Sequence, residues 1–146
     1  TYMRYYLNMS TGEMRSERVT DVESEFPTFN AGYAGRKNDV TYTACSVDNG
    51  ANSFFNAISR VTHEGDSTVV TLPPGHYGSE PLFAPSLGAN SEDDGYLLEV
   101  VYNGFQHQSE LQIYRADNIN QQVCSAKLEH HLPHQFHGFF TGSMFQ

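Results

Sequence analysis

Alternating apolar and polar positions mark the start of the chain. Met3, Tyr5, Leu7 and Met9 share one parity, with Arg4 and Asn8 between them, the period-2 pattern of a half-buried strand. Ser10-Thr11-Gly12 is turn chemistry, and Met14–Thr20 predicts the return strand of a hairpin. Asp39–Ser46 is rich in Thr, Val and Tyr, follows a Gly-Arg-Lys-Asn turn and reads as another strand. Ser53–Thr62 is ambiguous in period, but the Asp48-Asn49-Gly50 turn before it favours a strand over a helical turn. Ser67–Leu72, Tyr96–Tyr102, Glu110–Tyr114 and Cys124–Leu132 complete the set. Pro73-Pro74-Gly75 and Pro81 bracket an irregular stretch, and Gly88–Gly95 reads as a polar surface turn.

About eight or nine short strands with turns roughly every ten residues, and no sustained helical stripe, predict an all-β fold. Sandwich, barrel and propeller all fit that pattern. No linker or low-complexity segment divides residues 1–146, so one domain is expected.

Charge narrows the partners. Seventeen acidic against eight basic side chains give a net charge of -9, and Arg36-Lys37 is the only adjacent basic pair, so no phosphate-binding face is expected. No apolar run approaches the ~20 residues of a bilayer span. The first residues lack a secretory signal pattern and an initiator Met and open inside a strand, which predicts an internal cut in a longer chain. Cys45 and Cys124 have neither metal nor disulfide-rich spacing and predict two buried free thiols in a cytosolic protein.

Candidate chemistry concentrates late. His130, His131, His134 and His137 fall within eight residues, and imidazole is the commonest metal donor. Pro133 and strand-like flanks disfavour a helix, and on extended backbone residues three apart face opposite ways. The set therefore does not read as one self-contained site. His137, between Phe136 and Gly138, is the best single candidate, as a core histidine or as a ligand on a dry wall. A ligating imidazole commonly gives its second N–H to a carboxylate. Glu25, ahead of Phe26-Pro27, and Glu80, ahead of Pro81, are carboxylates entering apolar segments, and a surface role also fits each. His63, His76 and His107 lie beside turns. No nucleophile elbow, phosphate loop or calcium loop occurs.

Four segments together carry a resemblance: Glu25-Phe26-Pro27-Thr28-Phe29-Asn30, Ser79-Glu80-Pro81-Leu82-Phe83, Glu92-Asp93-Asp94-Gly95-Tyr96-Leu97-Leu98, and Leu132 through Phe140 with its Phe136-His137-Gly138 core. In order and spacing they resemble the C-terminal part of carotenoid cleavage oxygenases, a family that includes apocarotenoid and lignostilbene-type enzymes and the retinal pigment epithelium isomerohydrolase. The resemblance implies the last blades of an incomplete seven-bladed β-propeller. It further implies a non-haem Fe(II) dioxygenase that cleaves a conjugated double bond of a carotenoid or apocarotenoid to carbonyl products. His137 matches the last of four iron-binding histidines, and Glu25 and Glu80 match glutamates behind such histidines. The implied partners are dioxygen, an apolar polyene or stilbene-like substrate, and the missing N-terminal blades of the same polypeptide, with peripheral membrane contact as a further expectation. The implied compartment is the cytoplasm, a membrane periphery or a plastid, according to source. His134-Gln135 departs from the aromatic residue and glycine that relatives often carry there, which implies a local loop change. Three ligands lie outside these residues, so the isolated chain is expected to be inactive. The alternatives are a lignostilbene-type enzyme of the same family and a noncatalytic propeller or sandwich interaction module. A His137 in the interior with its ring against Glu25 or Glu80 favours the enzyme, and all three far apart would count against it.

Overall fold

The computed structural model describes residues 2–47 and 54–142. It is all-β apart from a single 3-10 turn at Ala31–Tyr33. The strands in chain order are β1 (Met3–Leu7), β2 (Met14–Arg18), β3 (Ser24–Thr28), β4 (Val40–Cys45), β5 (Ala57–Thr62), β6 (Ser67–Thr71), β7 (His76–Gly78), β8 (Leu82–Pro85), β9 (Gly95–Asn103), β10 (Gln108–Arg115) and β11 (Gln122–Lys127). The ambiguous segment before Thr62 is a strand from Ala57. Residue Ser53 and the Asp48-Asn49-Gly50 turn lie outside the described residues.

The strands form three antiparallel units: the hairpin β1-β2, a four-stranded meander β3-β4-β5-β6, and a sheet ordered β11-β10-β9-β7 in which β8 also pairs β9. The hairpin turn closes because Asn8 Oδ1 accepts from the Ser10 and Thr11 amides at 3.0 and 3.2 Å, an Asx-type turn. Gly12 supplies the left-handed residue that lets its N–H reach Asn8 O.

The core lies where the two larger sheets face each other. Val40, Tyr42 and Ile58 from one sheet meet Phe83, Leu97 and Tyr114 from the other, with Ala116 and Ile119 at one end. Tyr42 stacks on Phe83 and donates its hydroxyl to Ala116 O at 3.1 Å. Burial raises the Tyr42 and Tyr114 phenols, so both stay neutral donors. β9 alternates cleanly: Gly95, Leu97, Glu99 and Val101 are buried on the core side. Glu99 is 1% exposed, and among the described residues neither of its carboxylate oxygens has a hydrogen-bond partner. Burial pushes its carboxyl up to about 8, so it is buried as the neutral acid. Its side chain rests on Gly78, where a Cβ would overlap Glu99 Oε1.

The acidic turn after β8 proves to be a clamp between sheets. Glu92 accepts from Asn38 Nδ2 and from the Asp39 and Val40 amides at 2.5–3.0 Å, and Asp93 pairs with Arg60 at 2.8 Å. Asp94 stays within its own turn, where the Asn90 amide lowers its pKa first and Ser86 next.

Two expectations are corrected. The strand predicted over Cys124–Leu132 spans Gln122–Lys127, because Leu128 onward leaves the ladder. Cys124 is exposed on this edge strand; only Cys45 is buried, its thiol pushed up to about 12 by burial, and both are free. Among the described residues, no helix is long and apolar enough to cross a membrane.

Candidate metal-ligand site

His137 lies on a strap, residues 128–142, that has no regular secondary structure and crosses the face of the β7–β11 sheet opposite the core. Three sequence features put it there. Pro133 ends any ladder. Ser109 on β10 accepts twice from the strap, through its carbonyl from Leu128 N and through Oγ from Leu132 N, both at 2.9 Å. Gln108 Nε2 donates to Leu128 O at 2.9 Å.

The far end is held by Glu80. β7 and β8 pair the same edge of β9, one after the other, and Ser79-Glu80-Pro81 is the break between them. Pro81 has no N–H to give the ladder, and the Glu80 side chain leaves the sheet toward the strap. Its Oε2 accepts from the Gly138 amide at 2.8 Å, and its Oε1 lies 3.3 Å from His137 Nδ1. A carboxylate oxygen only accepts, so this contact is made with the hydrogen on Nδ1, the arrangement that leaves Nε2 as the metal-donor atom of a neutral imidazole. The Glu80 side chain is 14% exposed, whereas that of His137 is 62% exposed. The acid is built in, and the imidazole opens outward.

Aromatic rings flank the imidazole. Phe26 sits edge-on to His137, Phe136 and Phe55, each at 5.4 Å between centroids. Phe26 has φ 51, an unfavourable value for a bulky residue, and the β3–β4 register shifts between Glu25 and Thr28. Backbone strain of this kind persists where the surroundings enforce it; here it turns Phe26 to the histidine. Glu25, its neighbour, is exposed and makes no hydrogen bond to His137 among the described residues. On the other side of Glu80, Phe29, Leu82, Phe83, Phe139 and Phe140 line an open cleft of about 470 Å³.

The other histidines go elsewhere. His134 stacks on Phe54 at 4.3 Å and meets the Tyr102 edge at 5.7 Å. His131 lies against His107, whose Nδ1 is 2.7 Å from Tyr102 Oη. His76 Nδ1 faces Pro74 O, and His130 is exposed on the strap. Among the described residues, no three His, Cys, Asp or Glu side chains gather into a metal site, so a self-contained centre from His130, His134 and His137 is absent there. His137 fits iron as one donor, with Nδ1 bonded to an acid and Nε2 free, and not as a full ligand set. Sequence reading missed Ser109, Glu99 and the bulged Phe26. Only Phe26 had a signal, the proline after it.

Comparison with known proteins bears on the family and the fold. Residues 1–142 match the model of the family described as RPE65, retinal pigment epithelial membrane protein. Apocarotenoid-15,15'-oxygenase of Synechocystis is 30% identical over 137 residues, covering 92% of this chain and 28% of that protein. A carotenoid 9,10(9',10')-cleavage dioxygenase of Crocus sativus is 30% identical over 149 residues, covering 92% and 27%. An ACO/RPE65 chimera superposes with a TM-score of 0.90 at 28% identity, covering 97% of this chain and 30% of its own, and cobalt-substituted Synechocystis ACO gives 0.87 at 28%, covering 92% and 29%. The chain thus spans less than a third of the curated relatives it matches. The solved neighbours are β-propellers, and the sheets described above are part of one. By its sequence match and its strand architecture, the chain belongs to the RPE65 family of carotenoid cleavage oxygenases.

Proposed function

We propose that this chain supplies one imidazole ligand, His137, and the carboxylate that orients it, Glu80, to the ferrous iron of a dioxygenase. The parent enzyme's proposed substrate is a carotenoid or apocarotenoid, cleaved at a conjugated double bond to carbonyl products. The relatives named for these reactions support the substrate class. The observation that carries the ligand role is the Glu80 contact to both Nδ1 of His137 and the Gly138 amide. When bound, ferrous iron supplies the activation of dioxygen. Glu80 fixes the tautomer and the ring angle, which raises the donor strength of Nε2. Phe26 and Phe136 keep water from one side of the ring and offer an apolar wall to a polyene. Glu25 makes no hydrogen bond to His137 among the described residues, so orienting a ligand would require an imidazole from outside these residues. One donor holds a metal weakly, so the isolated chain is proposed to be inactive.

The test is iron content and carbonyl product formation in the full-length polypeptide. His137→Ala should lose both, and Glu80→Ala should weaken iron binding by about 10–100-fold. Stoichiometric iron retained by His137→Ala would overturn the ligand role.

A further inference from the structure

We infer that Ser109 is a positioning residue, which sets the location of His137 through the strap without touching it. Ser109 is 1% exposed and lies on the strap side of β10, opposite Tyr102 on β9. Gln112 and Tyr114, further along the same strand, are buried on the core side. A buried hydroxyl needs a partner, and this one has the Leu132 amide at 2.9 Å. The same residue's carbonyl takes the Leu128 amide. One residue of a rigid central strand therefore fixes two points of a segment that has no ladder of its own.

Leu132 stands five residues before His137. Between them the strap touches the body through rings: His134 stacks on Phe54 at 4.3 Å and meets the edges of Tyr77 and Tyr102, and Phe136 meets Phe26. Such ring contacts tolerate sliding. The Ser109 bond is directional and does not. At the far end, Glu80 must meet two groups at once, the Gly138 amide and His137 Nδ1. Slippage at Leu132 is therefore passed along the strap to Glu80, because the two pinned points, Leu132 and Gly138, stand only six residues apart. That the imidazole so placed binds metal rests on the function proposed above; the placement itself does not.

Ser109→Ala removes one oxygen atom. Amide hydrogen exchange of the full-length protein, without metal, reads the result. Exchange should quicken at Leu132 and also at Gly138, by roughly two- to tenfold as for loss of one hydrogen bond, while β9 and β10 amides stay protected. Leu132→Pro removes the donor from the strap side and leaves the sheet untouched; it should produce the same change at Gly138. Faster exchange at Leu132 in Ser109→Ala, with Gly138 unchanged in both variants, would overturn the proposal. A cobalt(II) titration forms the second arm. Ser109→Ala should weaken binding severalfold if His137 is a ligand. If His137→Ala binds cobalt as the unaltered protein does, the ligand reading fails, and the exchange at Gly138 still decides the role of Ser109.

Discussion

Replacing Glu99 by Gln should remove a pH dependence of folding that the unaltered protein carries. Glu99 is wholly buried without a hydrogen-bond partner among the described residues, and burial raises its carboxyl from the ordinary 4.5 to about 8. In the unfolded chain it ionises near 4.5; in the folded protein it keeps its proton to about 8. The folded state therefore binds more protons across that window, and stability falls as pH rises through it. Below about 4.5 the contribution is complete, and above about 8 it is lost. A gap of this size corresponds to about 5 kcal/mol at ~1.36 kcal/mol per pH unit. Relaxation of the sheets and entry of water lower the penalty, so a loss of roughly 2–5 kcal/mol is expected. Cys45, Tyr42 and Tyr114 are pushed further up and stay neutral in this range. The assay is urea unfolding of the full-length protein between pH 5 and 9, with m-values checked for constancy. The unaltered protein should lose stability relative to Glu99→Gln as pH rises. Parallel curves would refute the reasoning, because they would mean that Glu99 is ionised or solvated in the folded state.

Substitutions at three further positions test other parts of the packing by the same urea assay. Gly78→Ala should destabilise by about 1–3 kcal/mol, since its Cβ would overlap Glu99 and meet Leu72 Cδ1 at 3.3 Å, and the loss should shrink in a Glu99→Ala background. Tyr42→Phe should cost about 1 kcal/mol through the orphaned Ala116 carbonyl, with little change in m. Glu92→Ala should cost about 2–3 kcal/mol by freeing the Asp39 and Val40 amides and Asn38, and Glu92→Gln, which keeps one acceptor oxygen, about half as much.

The legible parts of this fold are those whose information is local. β1, β2, β4 and β9 announce themselves by alternation or by β-branched and aromatic residues, and the structure places them within a residue or two of the expectation. β3 was hidden because Pro27 and a left-handed Phe26 interrupt it, and β7 and β8 because prolines fragment them. The overrun of β11 has the same root: Glu129 to Leu132 carry no signal that separates a strand from a strap lying on a sheet. Long-range pairs were invisible. Nothing near Glu92 says that its partners lie more than fifty residues upstream. Nothing in Leu97-Leu98-Glu99-Val100 says which of the two faces will be closed by another sheet. For the candidate site, motif spacing singled out His137 and Glu80, and the structure brings them together across 57 residues of sequence. It leaves Glu25 apart from them.

The strap also has a direction in time. Every group it leans on precedes it in the chain: Phe26, Phe54, Glu80 and Ser109 all leave the ribosome before His131, His134 and His137. Polypeptides tend to fold from the N-terminal side during synthesis, so the groove is available when its occupant emerges. Docking of the strap is then a late step on a preformed surface, and the imidazole acquires its fixed tautomer only at that step. A chain cut between Lys127 and Leu132 would keep every strand from β1 to β11 and leave the Glu80 seat empty.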